Sequence, residues 1–384
     1  MTRGGLPVLI ACSLLAAVLG TVHAFSVFLE PFEARFGASR ASVSLTYSLA
    51  LMALTGAVLI GHRVFARWPP ALFVPALCAM AAAGAVTAGY APTLAVLWLG
   101  YGLIFGAANG LGYGFGLQLA AQASPGREGL AMGTVTAAYA LGAVLAPALF
   151  ARALTLGGAV AAMTGLAAAV MITGLVAAVF LARAGVRFRK PETGAAPRQL
   201  AAGQFIPLWL GYFGGVLAGL MVIGHAAAIA TALRPGGAAW IAPAIIAVCN
   251  LGGSLVAGRL SDRIAPARLL IGLPLLSAAA LLILIVMGRH GGLMPALGLT
   301  GFSYGAIIAA YPAVIAKRYG ILDSPRIYGR VFTAWGAAGL AGPWLAGYLF
   351  DLSGGYRTAL IVAVGAALAS ALAALMQARD PSVA

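Results

Sequence analysis

The sequence predicts an all-α membrane protein with twelve transmembrane helices arranged as two six-helix halves. Hydrophobic residues make up 62% of the 384 residues, charged residues only 8%, and the mean hydropathy is +1.01. So few polar residues cannot cover the surface of a water-soluble globular protein. In addition, a basic hairpin that begins at Gly61 recurs at Gly258, 197 positions later, which indicates a duplicated chain.

Each span was placed on an apolar run of about 20 residues, the length that crosses a bilayer. The predicted spans are 6–29, 42–61, 71–90, 93–122, 129–151, 157–182, 204–232, 238–259, 267–287, 292–316, 328–350 and 355–377. The first run follows Arg3 and contains Val22-His23-Ala24, a loose match to a signal-peptide cleavage site. Because the run is long enough to span, we expect it to remain as an uncleaved helix.

One extended polar segment, 183–203, lies near the middle of the chain and holds five basic residues. It predicts a cytoplasmic linker that joins an N-terminal half, 1–182, to a C-terminal half, 204–384. Pro191 and Pro197 argue against a long amphipathic helix in this segment, because proline interrupts helices.

The basic residues predict the orientation. Seventeen of the 23 Lys and Arg residues lie in the termini and in the loops that follow even-numbered spans. The positive-inside rule then places both termini in the cytoplasm and the protein in the inner (plasma) membrane of the cell. This distribution also accounts for the net charge of +15, so the charge does not indicate nucleic-acid binding.

The two basic hairpins read GHRVFARWPPA at 61–71 and GRLSDRIAPAR at 258–268, and each follows the second span of its half. The second hairpin resembles the loop motif of the major facilitator superfamily. The resemblance implies the major facilitator fold, with parallel six-helix halves and a substrate site between them near mid-membrane. It implies secondary transport by alternating access rather than enzyme activity.

Two longer segments resemble the oxalate/formate antiporter and monocarboxylate transporter branch. They are FSVFLEPFEARFGASRASVSLTYSLAL near the start and YPAVIAKRYG with YGRVFTAWGAAGLAGPWLAGYLFDLSGGY near the end. The branch implies exchange or proton symport of small carboxylates. However, Ser254 and Trp335 stand where this branch is expected to carry an arginine and a lysine, and His23 and His225 replace its tyrosine and glutamine. A monocarboxylate that meets titratable rather than permanent positive charge is therefore the predicted substrate.

Polar side chains within spans are costly and are therefore candidates for substrate binding or proton coupling. These candidates are His23, His225, Asn109, Tyr113, Asn250, Tyr304 and Trp335. The histidines lie at similar depth in the first and seventh spans, and imidazole gains or loses a proton near neutral pH. The alternative is that both are neutral and bonded to backbone carbonyls. Asn109 and Tyr113 are four residues apart and share one helix face.

Other solutes remain open. Trp335 and Tyr139 would suit a planar aromatic or vitamin-like ligand, whereas Met221, His225 and Cys249 would suit a soft metal ion such as copper. A membrane sensor that does not transport is a further alternative. No catalytic or cofactor motif is found, so we expect a protein that is not an enzyme and has no resident metal or cofactor. We also expect a monomer with no nucleic-acid partner. The expected partners are a small-molecule substrate, H⁺ and the lipid bilayer.

Asp262 and its neighbours Arg259, Arg263 and Arg268 are the predicted gating residues. A carboxylate that faces a helix N-terminus is stabilised by the helix dipole. We expect Asp262 to face the start of the eleventh span, near Arg326, and to latch the cytoplasmic side. The first hairpin has Phe65 in place of the acid, which leaves a latch in that half without its carboxylate.

Overall fold

The computed structural model describes residues 5–38, 40–189, 202–234 and 241–378, and the predicted linker therefore lies partly outside the described residues. The helices up to residue 184 are α1 (Gly5–Gly20), a 3-10 helix (Thr21–Phe28), α2 (Leu29–Phe36), α3 (Arg40–Gly61), α4 (Pro70–Gly89), α5 (Leu94–Leu97), a π-helix (Trp98–Phe105), α6 (Gly106–Gln122) and α7 (Glu128–Ala184). Those after residue 201 are α8 (Ala202–Ile223), α9 (Ala226–Leu233), α10 (Ile241–Arg263), α11 (Pro266–Met287), a 3-10 turn (Gly288–His290), α12 (Leu293–Tyr319), α13 (Ser324–Ser353) and α14 (Arg357–Ala378).

The described ranges contain nine helices or helix series that are long and apolar enough to cross a membrane. One of these, α7, has non-helical backbone at Gly157 and Gly158 and therefore forms two spans. Two further helices complete the set, namely α3, whose apolar part is Leu45–Gly61, and the 30-residue α13. The predicted all-helical fold with twelve spans is confirmed.

Three spans predicted as continuous helices are interrupted. The first changes from α1 to the 3-10 helix at Thr21, and the fourth contains the π-helix before α6. The seventh is broken by a turn at Gly224 and His225, between α8 and α9. Apolar composition predicts that a segment crosses the membrane, but not whether its hydrogen-bond pattern stays α-helical. Such changes in helix type inside spans mark hinges and binding sites in many proteins.

The chain divides into two compact units. Unit 1 comprises Met1–Gly126 and Ala138–Thr193, and unit 2 comprises Arg127–Ala137 and Gly194–Ala384. The division near residue 193 falls within the predicted linker. The first turns of α7, up to Ala137, group with unit 2, although the same helix continues into unit 1. Sequence periodicity does not predict that the start of α7 groups with unit 2, because this grouping depends on which helices meet in space.

Each unit is held together by a pair of helices that cross with their backbones in contact. These crossings lie between α3 and α6 in unit 1 and between α10 and α12 in unit 2. At four glycines, a Cβ would overlap the backbone of the facing helix. The pairs are Gly106 against Ala50, Gly110 against Leu54, Gly301 against Ile246 and Gly305 against Asn250. Their positions differ by 195 or 196 residues between units, so the duplication seen in the sequence recurs in the packing.

Candidate substrate and proton sites

In unit 1, His23 lies in the 3-10 helix and contacts two tyrosines from other spans. Its Nδ1 is 2.7 Å from the hydroxyl of Tyr47 on α3. Its ring meets that of Tyr139 on α7 edge-on, with 5.5 Å between centroids. A hydroxyl donates to an unprotonated ring nitrogen and accepts from a protonated one. The Tyr47 contact can therefore persist in both protonation states of His23.

Asn109 connects three helices around the same point. Its Nδ2 donates to the carbonyl oxygen of Leu19 at 2.6 Å, one residue before α1 ends. Its Oδ1 accepts from the hydroxyl of Tyr139 at 2.8 Å. Tyr113 lies against Tyr139, with 4.9 Å between ring centroids. We call His23, Tyr47, Asn109, Tyr113 and Tyr139 the histidine cluster.

The histidine cluster is brought together by a close crossing of α1 and α7. A Cβ at Gly20 would overlap the backbone carbonyl of Tyr139, and a Cβ at Gly142 would overlap that of Ala17. Only glycine permits this approach, which is how small residues act at helix crossings in membranes. The crossing sets Tyr139 beside both His23 and Asn109.

Unit 2 has an aromatic pair at the corresponding positions. Trp335 Nε1 on α13 donates to the hydroxyl of Tyr304 on α12 at 3.2 Å. Phe332 stacks on Trp335, with 5.1 Å between centroids and 10° between planes. Tyr304 and Trp335 correspond to Asn109 and Tyr139 at offsets of 195 and 196 residues. The two units thus place a side-chain hydrogen bond between equivalent helices, with different residues.

His225 has surroundings unlike those of His23. Its Nε2 lies 2.9 Å from the carbonyl oxygen of Pro343 and its Nδ1 3.2 Å from the hydroxyl of Tyr356. A carbonyl only accepts, so Nε2 carries the proton, and Nδ1 of the neutral ring accepts from Tyr356. Both ring nitrogens are therefore satisfied in neutral His225. This is the arrangement expected of a histidine that joins the break after α8 to α13 and to the start of α14.

Asn250 and Ser254 lie in the packed crossing of α10 and α12. Ser254 is fully buried and its Oγ donates to the carbonyl oxygen of Gly305 at 3.1 Å. A Cβ added to Gly305 would overlap the side-chain oxygen of Asn250 as well as its backbone. These contacts indicate that both polar side chains stabilise the helix crossing.

Asp262 lies against a helix N-terminus, but the expected helix was wrong. Its two carboxylate oxygens accept from the backbone N–H groups of Gly129 and Leu130, at 2.7 and 2.9 Å. The helix is therefore α7, which begins at Glu128, and not α13, which begins at Ser324 near Arg326. The contact depends on the approach of α7 to the end of α10, and this approach cannot be inferred from the spacing along the chain.

The arginines predicted to gate are all exposed. Arg259, Arg263 and Arg268 make no hydrogen bond or ion pair through their side chains within the described part of the chain. A basic residue that sequence analysis missed, Lys317, donates to the carbonyl oxygens of Ser261 and Ile264 at 3.1 and 3.2 Å. A cation is favoured there because the C-terminal end of α10 carries partial negative charge.

Comparison with known proteins now connects this geometry to a family. The family model described as Major Facilitator Superfamily matches residues 208–384. The oxalate:formate antiporter of Oxalobacter formigenes is 25% identical over 374 residues, which covers 95% of this chain and 89% of that protein. The MFS-type transporter YhjX of Escherichia coli K12 is 25% identical over 332 residues, 83% of this chain and 81% of that protein. The C-terminal part of the chain, residues 208–384, therefore matches the major facilitator superfamily.

The major facilitator fold is shown equally by solved structures. The transporter FucP, in its outward conformation, matches with a TM-score of 0.70 at 14% identity, over 98% of this chain and 99% of that one. The chain thus has the fold of a multi-pass membrane transporter. The motif on which the family prediction was based, around Asp262, lies outside the histidine cluster. Tyr47 and Tyr356, which complete the surroundings of the two histidines, had no distinguishing signal in the sequence.

Proposed function

We propose that this major facilitator transports a small monocarboxylate, with a proton as the coupling ion, and that His23 carries the proton. The histidine cluster supports the proposal most strongly. It places a titratable ring at a change of helix type, within hydrogen-bonding distance of a tyrosine hydroxyl. Changes in helix type of this kind occur where transporters bind substrates and ions.

The choice of a monoanion follows from the charges at two positions. Ser254 is buried and bonded to Gly305, and Trp335 is bonded to Tyr304. Neither position supplies the fixed cation expected in the oxalate branch. A dianion would lack two permanent positive charges, whereas a monocarboxylate needs only the charge that a protonated imidazole provides. Exchange of one carboxylate for another uses the same site and is the second transport mode proposed.

A planar neutral solute is the other candidate, because one specific feature favours it. The stacked rings of Phe332 and Trp335 and the adjacent Tyr304 form an aromatic surface on α12 and α13. Such rings bind planar ligands by offset stacking. A soft metal ion has less support, since both ring nitrogens of His225 already have hydrogen-bond partners.

The experiment measures uptake by the purified protein in proteoliposomes. Thermal-shift screening of monocarboxylates, dicarboxylates, aromatic acids and vitamins first identifies a ligand, because a ligand stabilises the state that it binds. A pH gradient of one unit should then accumulate a monocarboxylate about tenfold if one proton is coupled. Accumulation of a neutral aromatic solute, with no uptake of monocarboxylates, would contradict the proposal and favour the planar candidate.

The variant His23→Tyr tests the proton carrier. It keeps an aromatic ring and a polar group but removes the titratable imidazole. We expect accumulation under the pH gradient to fall to nearly equal concentrations, while exchange of labelled for unlabelled substrate continues. His290→Gln is the matched control, because His290 lies exposed in the turn between α11 and α12. Tenfold accumulation by His23→Tyr would exclude His23 as the carrier.

A further inference from the structure

A small cavity lies at the hairpin between α3 and α4, in unit 1. It measures about 180 Å³ and is lined by the hairpin on one side and by the segment after α7 on the other. The lining residues are Ala66, Arg67, Trp68, Pro69, Arg187 and Phe188. Two arginines thus line one cavity, at the hairpin that joins two spans.

The segment that carries Arg187 follows α7 and is anchored by the next two residues, Phe188 and Arg189. Phe188 packs on Phe65 and Phe115, with ring centroids 5.4 and 5.5 Å apart. The backbone of Arg189 is paired with the side-chain amide of Gln122, which donates to its carbonyl at 3.0 Å and accepts from its N–H at 2.9 Å. The backbone at Arg187 is therefore held between these contacts and the end of α7, while its side chain is exposed.

Among the residues that the structure describes, no carboxylate is paired with either arginine. In the second hairpin the equivalent acid, Asp262, is present and bonded to α7. In the first hairpin Phe65 replaces it and is buried, with 1% of its surface exposed, against Phe73, Phe115 and Phe188. Within the described residues, Arg67 and Arg187 have no hydrogen bond or ion pair through their side chains. An anion from outside the chain would complete the site.

The cavity adjoins surface that lipid would cover. Trp68 is 56% exposed, and Leu72, one turn further along on α4, is 64% exposed. Tryptophan concentrates at the boundary between the hydrocarbon core and the headgroups, and basic sites near that boundary attract anionic headgroups. A free anion would need only the arginines, whereas a lipid would also use the exposed indole and the apolar surface next to it.

We propose that this cavity binds the phosphate of an anionic phospholipid, with Arg67 and Arg187 on the phosphate and Trp68 against the glycerol and upper acyl chain. The lipid phosphate supplies the negative charge that Arg67 and Arg187 lack as a partner in the described part of the chain. Paired guanidinium groups suit a phosphate because their planar N–H donors match its oxygens. Occupancy would link the hairpin to the end of α7 through a bound lipid.

Native mass spectrometry of the full-length, delipidated protein tests the site with phosphatidylglycerol as the probe. We expect the parent to bind phosphatidylglycerol in preference to phosphatidylcholine with the same acyl chains. The double variant R67Q/R187Q should bind about 25-fold more weakly, the product of roughly fivefold from each arginine. The control R63Q/R183Q removes the same charge from exposed arginines that do not line the cavity, and it should keep the parent's affinity.

Each other outcome overturns the proposal. Equal weakening in both double variants would mean attraction to general surface charge. Equal binding of the two lipids by the parent would remove the anionic preference, whether or not any variant folds. Inorganic phosphate is added in a third arm, and competition at concentrations matching the lipid would identify a site for free phosphate. Should R67Q/R187Q fail to fold, the variant Trp68→Ala must lower phosphatidylglycerol affinity, and an unchanged affinity would exclude the lipid.

Discussion

At the residue scale, the two histidines that look equivalent in the sequence have different partners. His23 is part of a cluster of hydroxyl, amide and aromatic groups from three other helices. His225 is bonded to the carbonyl of Pro343, within α13, and to the hydroxyl of Tyr356, just before α14. His225 thus joins the break after α8 to Pro343 and Tyr356 through both ring nitrogens. We propose that His23 carries the coupling proton and that His225 has a structural role.

His225→Gln tests that assignment. Glutamine keeps a hydrogen-bond donor for Pro343 and an acceptor for Tyr356, but it does not titrate. We expect accumulation under a pH gradient to stay near the parent's value, with a small decrease in thermal stability. Proteoliposome uptake and a melting curve measure both effects. A loss of accumulation as large as that in His23→Tyr would show that both histidines take part in proton coupling.

Single glycines also determine how closely two helices approach each other. Gly110 and Gly305 face the backbones of Leu54 and Asn250, and a Cβ at either would overlap them. We expect Gly110→Ala and Gly305→Ala each to lower the melting temperature, since overpacking costs about 1–3 kcal/mol. Gly56→Ala is the control, because a Cβ at Gly56 meets no atom within 4 Å. An unchanged melting temperature in the first two variants would show that the helices can move apart without a loss of stability.

At the element scale, the capping of α7 by Asp262 is the contact most suited to a conformational role. The carboxylate accepts from two N–H groups in the first turn of α7. That turn belongs to unit 2, and the same helix continues into unit 1 from Ala138. We propose that this cap latches the cytoplasmic side and is released during transport. Charge at a helix N-terminus contributes about 0.3–1 kcal/mol, enough to shift a balance between states without unfolding the protein.

Asp262→Asn tests the latch by removing the charge and keeping the shape. We expect slower transport, normal expression, and an approximately two- to fivefold increase in labelling of single cysteines placed on the cytoplasmic side. Asp323→Asn is the matched control, because Asp323 stands before α13 without a side-chain capping bond. If transport and labelling in Asp262→Asn equal those of the control, Asp262 is an ordinary loop acid.

At the scale of the whole molecule, the duplication is preserved in packing and altered in chemistry. Glycines at equivalent positions hold α3 against α6 and α10 against α12. The side chains between equivalent helices differ, with Asn109 and Tyr139 in one unit and Tyr304 and Trp335 in the other. Close packing requires glycine at the equivalent positions of both units, whereas the side chains beside those crossings are free to differ.

The orientation in the membrane is a prediction for the whole chain. A reporter fused after residue 190 should be cytoplasmic and one near Arg289 exterior, because seventeen of the 23 Lys and Arg residues lie on the first side. Protease protection of the reporters in sealed vesicles measures this. The opposite pattern would invert the topology and place Asp262 at the exterior.

Sequence alone predicted the all-helical membrane fold, the twelve spans, and the loops that contain the basic residues. These properties follow from hydropathy and charge, which are read along the chain without knowing which helices touch. It also identified His23, Asn109, Tyr113, Tyr304 and Trp335 as candidates, because polar groups within spans are rare. Spatial contacts were needed to show that Tyr139 links His23 to Asn109, that Asp262 caps α7 rather than α13, and that Phe65 packs in an aromatic cluster with Phe188. Those contacts depend on which faces of distant helices meet, and close backbone crossings at glycines set that geometry.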